Sequence, residues 1–142
     1  MLGAKGAIEA MQDDSFKKMA KALVIARKET LITLSGSRSG RTYKVPGTQR
    51  TYTASSAEKH EAPAQATGEL RQHVSTSIEG NGNTIVGNVG ILESAINKVT
   101  KSSIGDYAKW LEYGTRNMAP RPWLKLSCER ATPEIKRILG AK

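Results

Sequence analysis

The sequence predicts an α+β fold. Apolar residues recur at helical spacing near both ends, and between them a stretch alternates apolar and polar residues on either side of a glycine-rich turn. At 142 residues the chain fits a single domain. We expect an N-terminal helix over 1–34, an extended arm or loop over 35–66, and a sheet, a short helix and a C-terminal helix over 67–142.

The N-terminal helix is predicted from about Lys5 to Leu34. Its apolar positions are mostly three, four or seven residues apart, as on one face of an amphipathic helix. They are Ile8, Met11, Met19, Leu23 and Ala26, with Phe16 beside them. The lysines and arginines between them are interpreted as a solvated face. β-branched residues near Thr33 leave open whether the helix has already ended there.

A basic segment without acidic residues follows, from Thr30 to Ala57. Its serine and threonine content leaves too few apolar residues for a core of its own. The runs 42–45 and 50–53 are β-prone and are separated by a four-residue connection at 46–49, which predicts a short hairpin. A lone two-stranded ribbon is marginally stable, so we expect this arm to be ordered by something it touches.

The polar stretch 58–65 is interpreted as a linker, and 67–70 as a capped turn leading back into regular structure. A second hairpin is predicted next, with a turn at Gly80-Asn81-Gly82. The inward positions of its strands are Val74, Thr76, Ile78, Ile85, Gly87 and Val89.

Residues 107–124 read YAKWLEYGTRNMAPRPWL and contain four of the seven aromatic residues. Asp106 is predicted to cap a short helix that Gly114 ends in a left-handed conformation. Pro122 is predicted as the first residue of a final helix, in which Pro133 threatens a kink. The apolar stripe of that helix is Leu124, Cys128, Ala131, Ile135 and Ile138.

The charge balance points to polyanions or acidic protein surfaces as neighbours, because the formal net charge is +9. The single cysteine excludes an internal disulfide and fits a reducing compartment. The apolar runs are far shorter than the roughly 20 residues of a membrane-spanning helix. The first residues contain no apolar region typical of a secretory signal, so we expect neither membrane insertion nor export.

No pattern of residues indicates catalysis. His60 and His73 have no cysteine or aspartate at metal-ligand spacing, and no serine lies in a nucleophile motif. The glycine-spaced segment 36–40 lacks the ending of a phosphate-binding loop and is interpreted as a flexible turn, with an anion-binding nest as the alternative. We therefore expect no enzymatic activity, no cofactor and no metal site.

The segment YAKWLEYGTRNMAPRPWL resembles a signature of small tail proteins of long-tailed bacteriophages. These are the head-to-tail joining, or tail-completion, proteins related to minor tail protein Z. Two earlier segments, SGSRSGRTYKVPG and APAQATGEL, also resemble that family and occur in the same order. The resemblance covers about Lys17 to Leu139. The chain differs from the family's pattern at residues 58–61 and at Pro133.

The resemblance implies two helices packed on an antiparallel sheet, with a projecting basic β-hairpin arm. It implies a non-enzymatic virion protein that assembles as a ring, expected to be sixfold, in the phage neck. Its implied partners are further copies, the tail terminator or tube, the head connector or stopper, and DNA that passes through without sequence recognition. It would be present in the host cytoplasm during assembly. A tail-terminator ring and a non-sequence-specific DNA-binding protein are the alternatives.

Two groups of candidate site residues follow. The subunit or partner interface candidates are Tyr43, Tyr52, Tyr107, Trp110, Tyr113, Arg116, Arg121 and Trp123, types that are common in interfaces. The candidates for contact with DNA or an acidic partner are Arg38, Arg41, Lys44 and Arg50. For Trp110 and Leu111 burial in the core is the competing interpretation. Arg121 has the alternative role of holding a loop to a backbone carbonyl.

Overall fold

The fold is α+β, as the sequence predicts. A computed structural model describes residues 4–56, 61–64, 68–81, 84–92, 94–97 and 101–140. Its elements in chain order are α1 (Ala4–Ser35), β1 (Thr42–Lys44), β2 (Thr51–Thr53), α2 (Glu69–Gln72), β3 (Val74–Asn81), β4 (Thr84–Ile91), α3 (Ile104–Tyr113) and α4 (Leu124–Leu139). The strands form two separate antiparallel pairs, β1 with β2 and β3 with β4.

Helix α1 continues past the β-branched residues to Ser35. It continues because its last turns are buried, with Thr33 at 6% and Leu34 at 2% exposure. Burial is confirmed for Leu23 and Ala26 of the predicted stripe, whereas Met11 is 70% exposed. The predicted apolar face is therefore buried only toward the C-terminal part of the helix.

Helix α4 packs along α1, and α1 lies across β3 and β4. Small buried side chains let the two helices approach closely: Ala22, Ala26 and Thr30 on α1, Ser127 and Ala131 on α4. The buried Thr30 hydroxyl donates to the Ala26 carbonyl at 2.8 Å, so its polar atom is satisfied. The expected packing on the sheet holds for α1, while α4 has α1 as its main partner.

The second hairpin packs against α1, and two glycines in the hairpin leave room for side chains of the helix. A Cβ at Gly80 would lie 2.5 Å from the Phe16 ring, and one at Gly87 would lie 2.6 Å from the Met19 sulfur. Strand pairing runs from Val74 opposite Ile91 to Asn81 opposite Thr84. Gly80 and Asn81, predicted as turn residues, therefore belong to β3, and Gly82 lies outside the described residues.

The core lies where α1, α2, β3, α3 and the start of α4 meet. Its buried residues are Leu34, Leu70, Val74, Ile104, Ala108, Leu111 and Trp123. The alternating pattern of β4 places Val89 against this cluster. The loop 114–123 is fixed at both ends, because Leu111 of α3 and Trp123 belong to the core.

Two predictions about helix ends were wrong in detail. Ser103 caps α3, and its hydroxyl accepts the Asp106 backbone N–H at 3.1 Å, so Asp106 lies in the first turn. Helix α4 begins at Leu124, after Trp123, and not at Pro122. Pro133 lies inside α4, which continues to Leu139. Packing of α4 on α1 outweighs the roughly 3 kcal/mol that an interior proline costs.

Candidate interaction site

Five of the chain's seven aromatic residues form one surface, which we call the aromatic surface: Tyr43, Tyr52, Tyr107, Trp110 and Tyr113. Tyr43 and Tyr52 are directly opposite in the β1–β2 pair, with ring centroids 5.9 Å apart and planes tilted by 33°. The other three lie at intervals of three along α3 and so share one helix face. Trp110 is 53% exposed and Tyr113 is 79% exposed.

The two parts of the aromatic surface are related by an electrostatic interaction between the Tyr52 and Tyr107 hydroxyls. The pKa of Tyr107 is raised above its usual value, chiefly by burial around its hydroxyl and then by the nearby Tyr52 hydroxyl. Arg121 acts in the opposite direction on the same pKa, so its guanidinium lies close as well. The Tyr107 residue is 45% exposed, so part of it remains accessible to solvent.

Glu112 joins α3 to the start of α4. Its carboxylate accepts the backbone N–H groups of Trp123 at 2.8 Å, Leu124 at 3.0 Å and Lys125 at 3.0 Å. A helix N-terminus leaves these donors without intrahelical partners. A negative charge there also interacts favourably with the positive end of the helix dipole. The side chain of Trp123, the N-cap residue, makes no capping hydrogen bond, so Glu112 supplies the cap.

Two further contacts close the loop 114–123 onto α3. The Arg121 backbone N–H donates to the Leu111 carbonyl at 2.7 Å, and the Trp123 indole N–H donates to the Ala108 carbonyl at 3.3 Å. Gly114 ends α3 with φ of 78° and ψ of 175°, a conformation open to glycine. A Cβ there would lie 2.8 Å from the Met118 carbonyl oxygen. The segment 107–124 therefore forms a packed corner of the fold.

Trp123 is not available as an interface residue, which corrects the sequence prediction. It is 2% exposed and belongs to the core. Its position directly before α4 turns the ring inward, where Ala108 satisfies its N–H. Leu111 is also core at 2% exposure, whereas its neighbour Trp110 faces outward. Burial in the core therefore applies to Leu111, whereas Trp110 remains an interface candidate.

Arg38 also differs from its predicted role. Its guanidinium donates to the carbonyls of Thr33 at 2.8 Å, Pro63 at 3.0 Å and Ser37 at 3.0 Å. Burial lowers its pKa, and Glu61 opposes that shift. With its donors used on backbone carbonyls, Arg38 fastens the end of α1 to the segment at Pro63 and has little left for an external anion.

Glu61 closes the base of the first hairpin. Its carboxylate accepts the backbone N–H groups of Ser39 at 3.0 Å and Ser56 at 2.8 Å. The residues 58–60 of the predicted linker lie outside the described residues, but Glu61 of that linker makes structural contacts with the backbone. The segment 36–40 is likewise bonded at Arg38 and Ser39 and is not a free turn.

The remaining candidate cations lie at the surface near the tyrosines or on the adjoining loop. Arg41, Lys44 and Arg50 are exposed on the hairpin, and Arg116 is exposed in the loop after α3. Arg121 is half-buried, and its Nε is buried without a hydrogen-bond partner. A buried guanidinium N–H that has no acceptor is unusual, because burial removes its hydration.

Sequence reasoning missed Glu61 and Glu112. Each accepts hydrogen bonds from backbone N–H groups that lie five to twenty-two residues away in the chain. The local rules for helix caps look within three residues of the helix start, so they cannot find a cap supplied by a preceding helix. No local pattern in the sequence therefore identifies either glutamate as a cap.

Within the described ranges, no cluster of histidine, cysteine, aspartate and glutamate could hold a metal ion. No helix in that part of the chain is long and apolar enough to cross a membrane. A shallow cleft of about 260 Å³ lies beside the aromatic surface, between β4 and the two C-terminal helices, with Val89, Lys109, Tyr113 and Leu124 among its lining residues. Comparison with family models, curated proteins and solved structures finds no match for this chain.

Proposed function

We propose that this chain is a structural protein of a bacteriophage neck, which assembles as a ring between the tail tube and the capsid connector and surrounds the DNA path. The observation that carries this proposal is the resemblance of three segments, in the same order, to the joining protein family. The proposed role is structural and involves no catalysis.

The packing of the motif supports the proposal. A ring subunit must keep a defined shape and still present apolar side chains to a neighbour. In the segment 107–124, Glu112 and Trp123 hold the corner together, while Trp110 and Tyr113 remain exposed. Exposed aromatic residues on a rigid base are typical of interface hot spots.

The hairpin β1–β2 supplies a second surface of the same kind. Its strands are only three residues long and have no further strand paired to them among the described residues. Such an edge can accept a strand from a neighbouring subunit through main-chain hydrogen bonds. Its role as a basic arm stays a prediction.

The test is incorporation into the neck. Purified protein is mixed with tails and filled heads, and electron microscopy and recovered infectivity are measured. We expect joined particles with a ring at the neck from the native chain, and a strong reduction with Trp110→Ala. Val24→Ala, which alters a 68% exposed residue of α1, is the matched control and should join normally. Particles whose neck lacks this chain would refute the proposal.

A tail-terminator ring is the nearest alternative. It predicts that tubes assembled without the chain continue to grow, because nothing stops polymerisation. A joining protein instead predicts tails of normal length that fail to attach to heads. Tail lengths measured in an assembly lacking the chain separate the two functions.

A non-sequence-specific DNA-binding protein is favoured by one structural observation. The Tyr107 hydroxyl of the aromatic segment interacts electrostatically with the Tyr52 hydroxyl of the basic segment, so aromatic and basic residues lie on neighbouring parts of the surface. Binding that depends on phosphate contacts must weaken steeply as salt rises. Tight duplex binding with that salt dependence, without incorporation into particles, would favour this alternative over the neck protein.

A further inference from the structure

Strand β4 has an edge that no other strand in the described part of the chain occupies. It pairs with β3 along eight residue pairs, and the sheet has two strands. In an antiparallel pair, about half of the residues direct their backbone N–H and C=O away from the partner strand. β4 contains neither proline nor a charged residue. Those are the devices that usually protect such an edge, so the β4 edge is open to a further strand.

The cleft between β4 and the two C-terminal helices opens onto this edge. It is lined by the consecutive strand residues Val89, Gly90 and Ile91, and by no described residue of β3. Successive strand residues point to opposite faces of a sheet, so a cleft that touches three in a row reaches the strand from its side. The opposite wall is α3, where Gly105 and Ala108 are small enough to leave room for a bound chain.

An open strand edge that faces a helix across a cleft is suited to binding an extended segment. Such a segment adds to the sheet as a further strand, and main-chain hydrogen bonds hold it while its side chains enter pockets beside the strand. The volume of the cleft is about 260 Å³, and Val89, Ile91 and Leu124 contribute aliphatic lining. Tyr113 also lines it. The pocket therefore suits a large apolar or aromatic side chain.

The first hairpin is the segment of this chain that matches the cleft. Each of its strands is three residues long, the same length as the part of β4 that borders the cleft. All three residues of β1 are exposed, and its central residue, Tyr43, is 49% exposed. β1 pairs with β2 alone among the described residues, so its other edge is open. The hairpin does not line the cleft of its own chain, and the donor must therefore be a second copy.

Charge favours this pairing of surfaces between two copies. The chain carries a net charge of +9, so most surfaces of two copies repel each other. The walls of the cleft differ, because β4 is uncharged and α3 carries Asp106 and Glu112 against the single cation Lys109. The hairpin presents exposed cations without an acidic residue, at Arg41, Lys44 and Arg50. A basic hairpin on a slightly acidic wall is an electrostatically complementary contact.

We propose that the β4 edge and the cleft beside α3 bind strand β1 of a second copy of this chain, with Tyr43 in the cleft. Donor and acceptor are different surfaces of the same chain, so the contact is head-to-tail. Repeated contacts of this kind close into a ring or continue as a filament. The proposal rests on the proposed function, because it names the surfaces by which neighbouring subunits of the ring bind.

The experiment measures self-association of the full chain. Analytical ultracentrifugation gives the dissociation constant, and residue-resolved amide hydrogen exchange in dilute and in concentrated solution locates the contact. We expect protection that rises with concentration at the outward-directed amides of β4, which are either Gly90 or both Val89 and Ile91. Amides bonded to β3 should be protected in both solutions. Tyr43→Ala should weaken association about tenfold or more, as for an interface hot spot, and should remove the added protection.

Matched variants separate this contact from a general loss of apolar surface. Val24→Ala removes part of a 68% exposed side chain on α1 and should leave the dissociation constant within about twofold. Tyr43→Phe keeps the ring and should associate almost as the native chain does. Tyr113→Ala alters the acceptor and should also weaken association, independently of any effect on the hairpin. Thermal melting of every variant verifies that it is folded.

Three results would overturn the proposal. One is a native chain that stays monomeric in concentrated solution. Another is association without added protection on β4. The third is β4 protection that Tyr43→Ala leaves unchanged, which would make another segment, such as a second β4, the occupant.

The neck function is tested separately, by incorporation of the chain into particles. If Tyr43→Ala enters the neck as the native chain does, the neck function stands and this contact is refuted. If β4 shows the expected protection but the chain is absent from particles, the contact stands and the neck function is refuted.

Discussion

At the scale of single residues, Glu112 has the widest effect on this structure. It lies on α3 but satisfies three backbone N–H groups at the start of α4, so one carboxylate orients one helix relative to another. Trp123 completes the same junction by filling the core between them. Neither Glu112 nor Trp123 belongs to the aromatic surface.

Removal of the Glu112 carboxylate should destabilise the fold. We expect Glu112→Ala to lower the free energy of unfolding by about 1 to 3 kcal/mol, because it leaves partly buried N–H groups without acceptors. Glu112→Gln keeps an acceptor but not the charge and should lose less. Glu129→Ala, at an exposed position on α4, is the control and should change stability little. Urea denaturation measures all three, and equal effects of Glu112→Ala and Glu129→Ala would contradict the capping role.

The two tryptophans should respond oppositely to truncation. Trp123→Ala should cost about 3 to 5 kcal/mol of unfolding free energy, because it empties a core position. Trp110→Ala should cost less than about 1 kcal/mol, because the residue is 53% exposed. Thermal melting of the isolated chain measures both. A large loss for Trp110→Ala would show that this residue supports the subunit and is not free for docking.

At the scale of elements, α1 organises the fold by lying over the β3–β4 pair. The contact depends on Gly80 and Gly87, which leave room for Phe16 and Met19 of the helix. The hairpin register and the helix position are therefore coupled. The base of the first hairpin is coupled to α1 in a different way, through Arg38 and Glu61.

Gly87→Ala should destabilise the chain by about 1 to 3 kcal/mol, the usual cost of overpacking. The added Cβ would lie 2.6 Å from the Met19 sulfur and 3.1 Å from a Leu23 methyl carbon. Gly90→Ala is a control on the same strand, where a Cβ meets nothing within 4 Å. Chemical denaturation of the two variants compares them, and the explanation fails if Gly90→Ala is as harmful as Gly87→Ala.

Arg38→Ala should loosen the hairpin β1–β2 relative to α1. Three backbone carbonyls would lose a charged donor, for which we expect a loss of about 1 to 3 kcal/mol. Amide hydrogen exchange should show lost protection at Gly40 and Ala54, whose N–H groups bond across the hairpin base. Arg41→Ala, exposed on the same hairpin, is the control. Unchanged protection in Arg38→Ala would return Arg38 to the candidates for an external partner.

At the scale of the whole molecule, the fold places the aromatic surface and the small-residue helix interface on different elements. α1 and α4 bury alanines, threonines and serines against each other, while α3 and the first hairpin present rings outward. The residues buried at the helix interface are thus separate from the exposed rings of the aromatic surface. We therefore expect variants of the exposed rings to keep the fold.

The stability of the whole chain should decline at alkaline pH partly through Tyr107. Its folded-state pKa lies above the ordinary 10.0, so above about pH 10 the unfolded chain releases this proton while the folded chain retains it. The free energy of unfolding then falls as pH rises, and below pH 10 this contribution is constant. Tyr107→Phe should remove that part of the decline, as measured by urea denaturation between pH 8 and 11. The same change in Tyr113→Phe would show that the effect does not belong to Tyr107.

Much of the secondary structure follows from local patterns in the sequence. Helical spacing located α1 within one residue at each end, β-prone runs located the first hairpin, and alternation located the second. The helix starts were less well predicted, because Ser103 caps α3 where Asp106 was expected to, and α4 begins at Leu124 and not at Pro122. For the candidate site, the sequence singled out all five residues of the aromatic surface but also Trp123 and Arg38, which the fold uses internally.

Patterns in the sequence alone determined the α+β class, the helix and hairpin positions and the choice of aromatic residues as interface candidates, because periodicity and turn chemistry act over a few residues. Tertiary structure decided which rings face outward, that the Tyr52 and Tyr107 hydroxyls interact electrostatically, and that Glu61, Glu112 and Arg38 bind backbone groups. Those outcomes depend on partners far apart in the chain, and residue type does not show whether a tryptophan or an arginine will be enclosed.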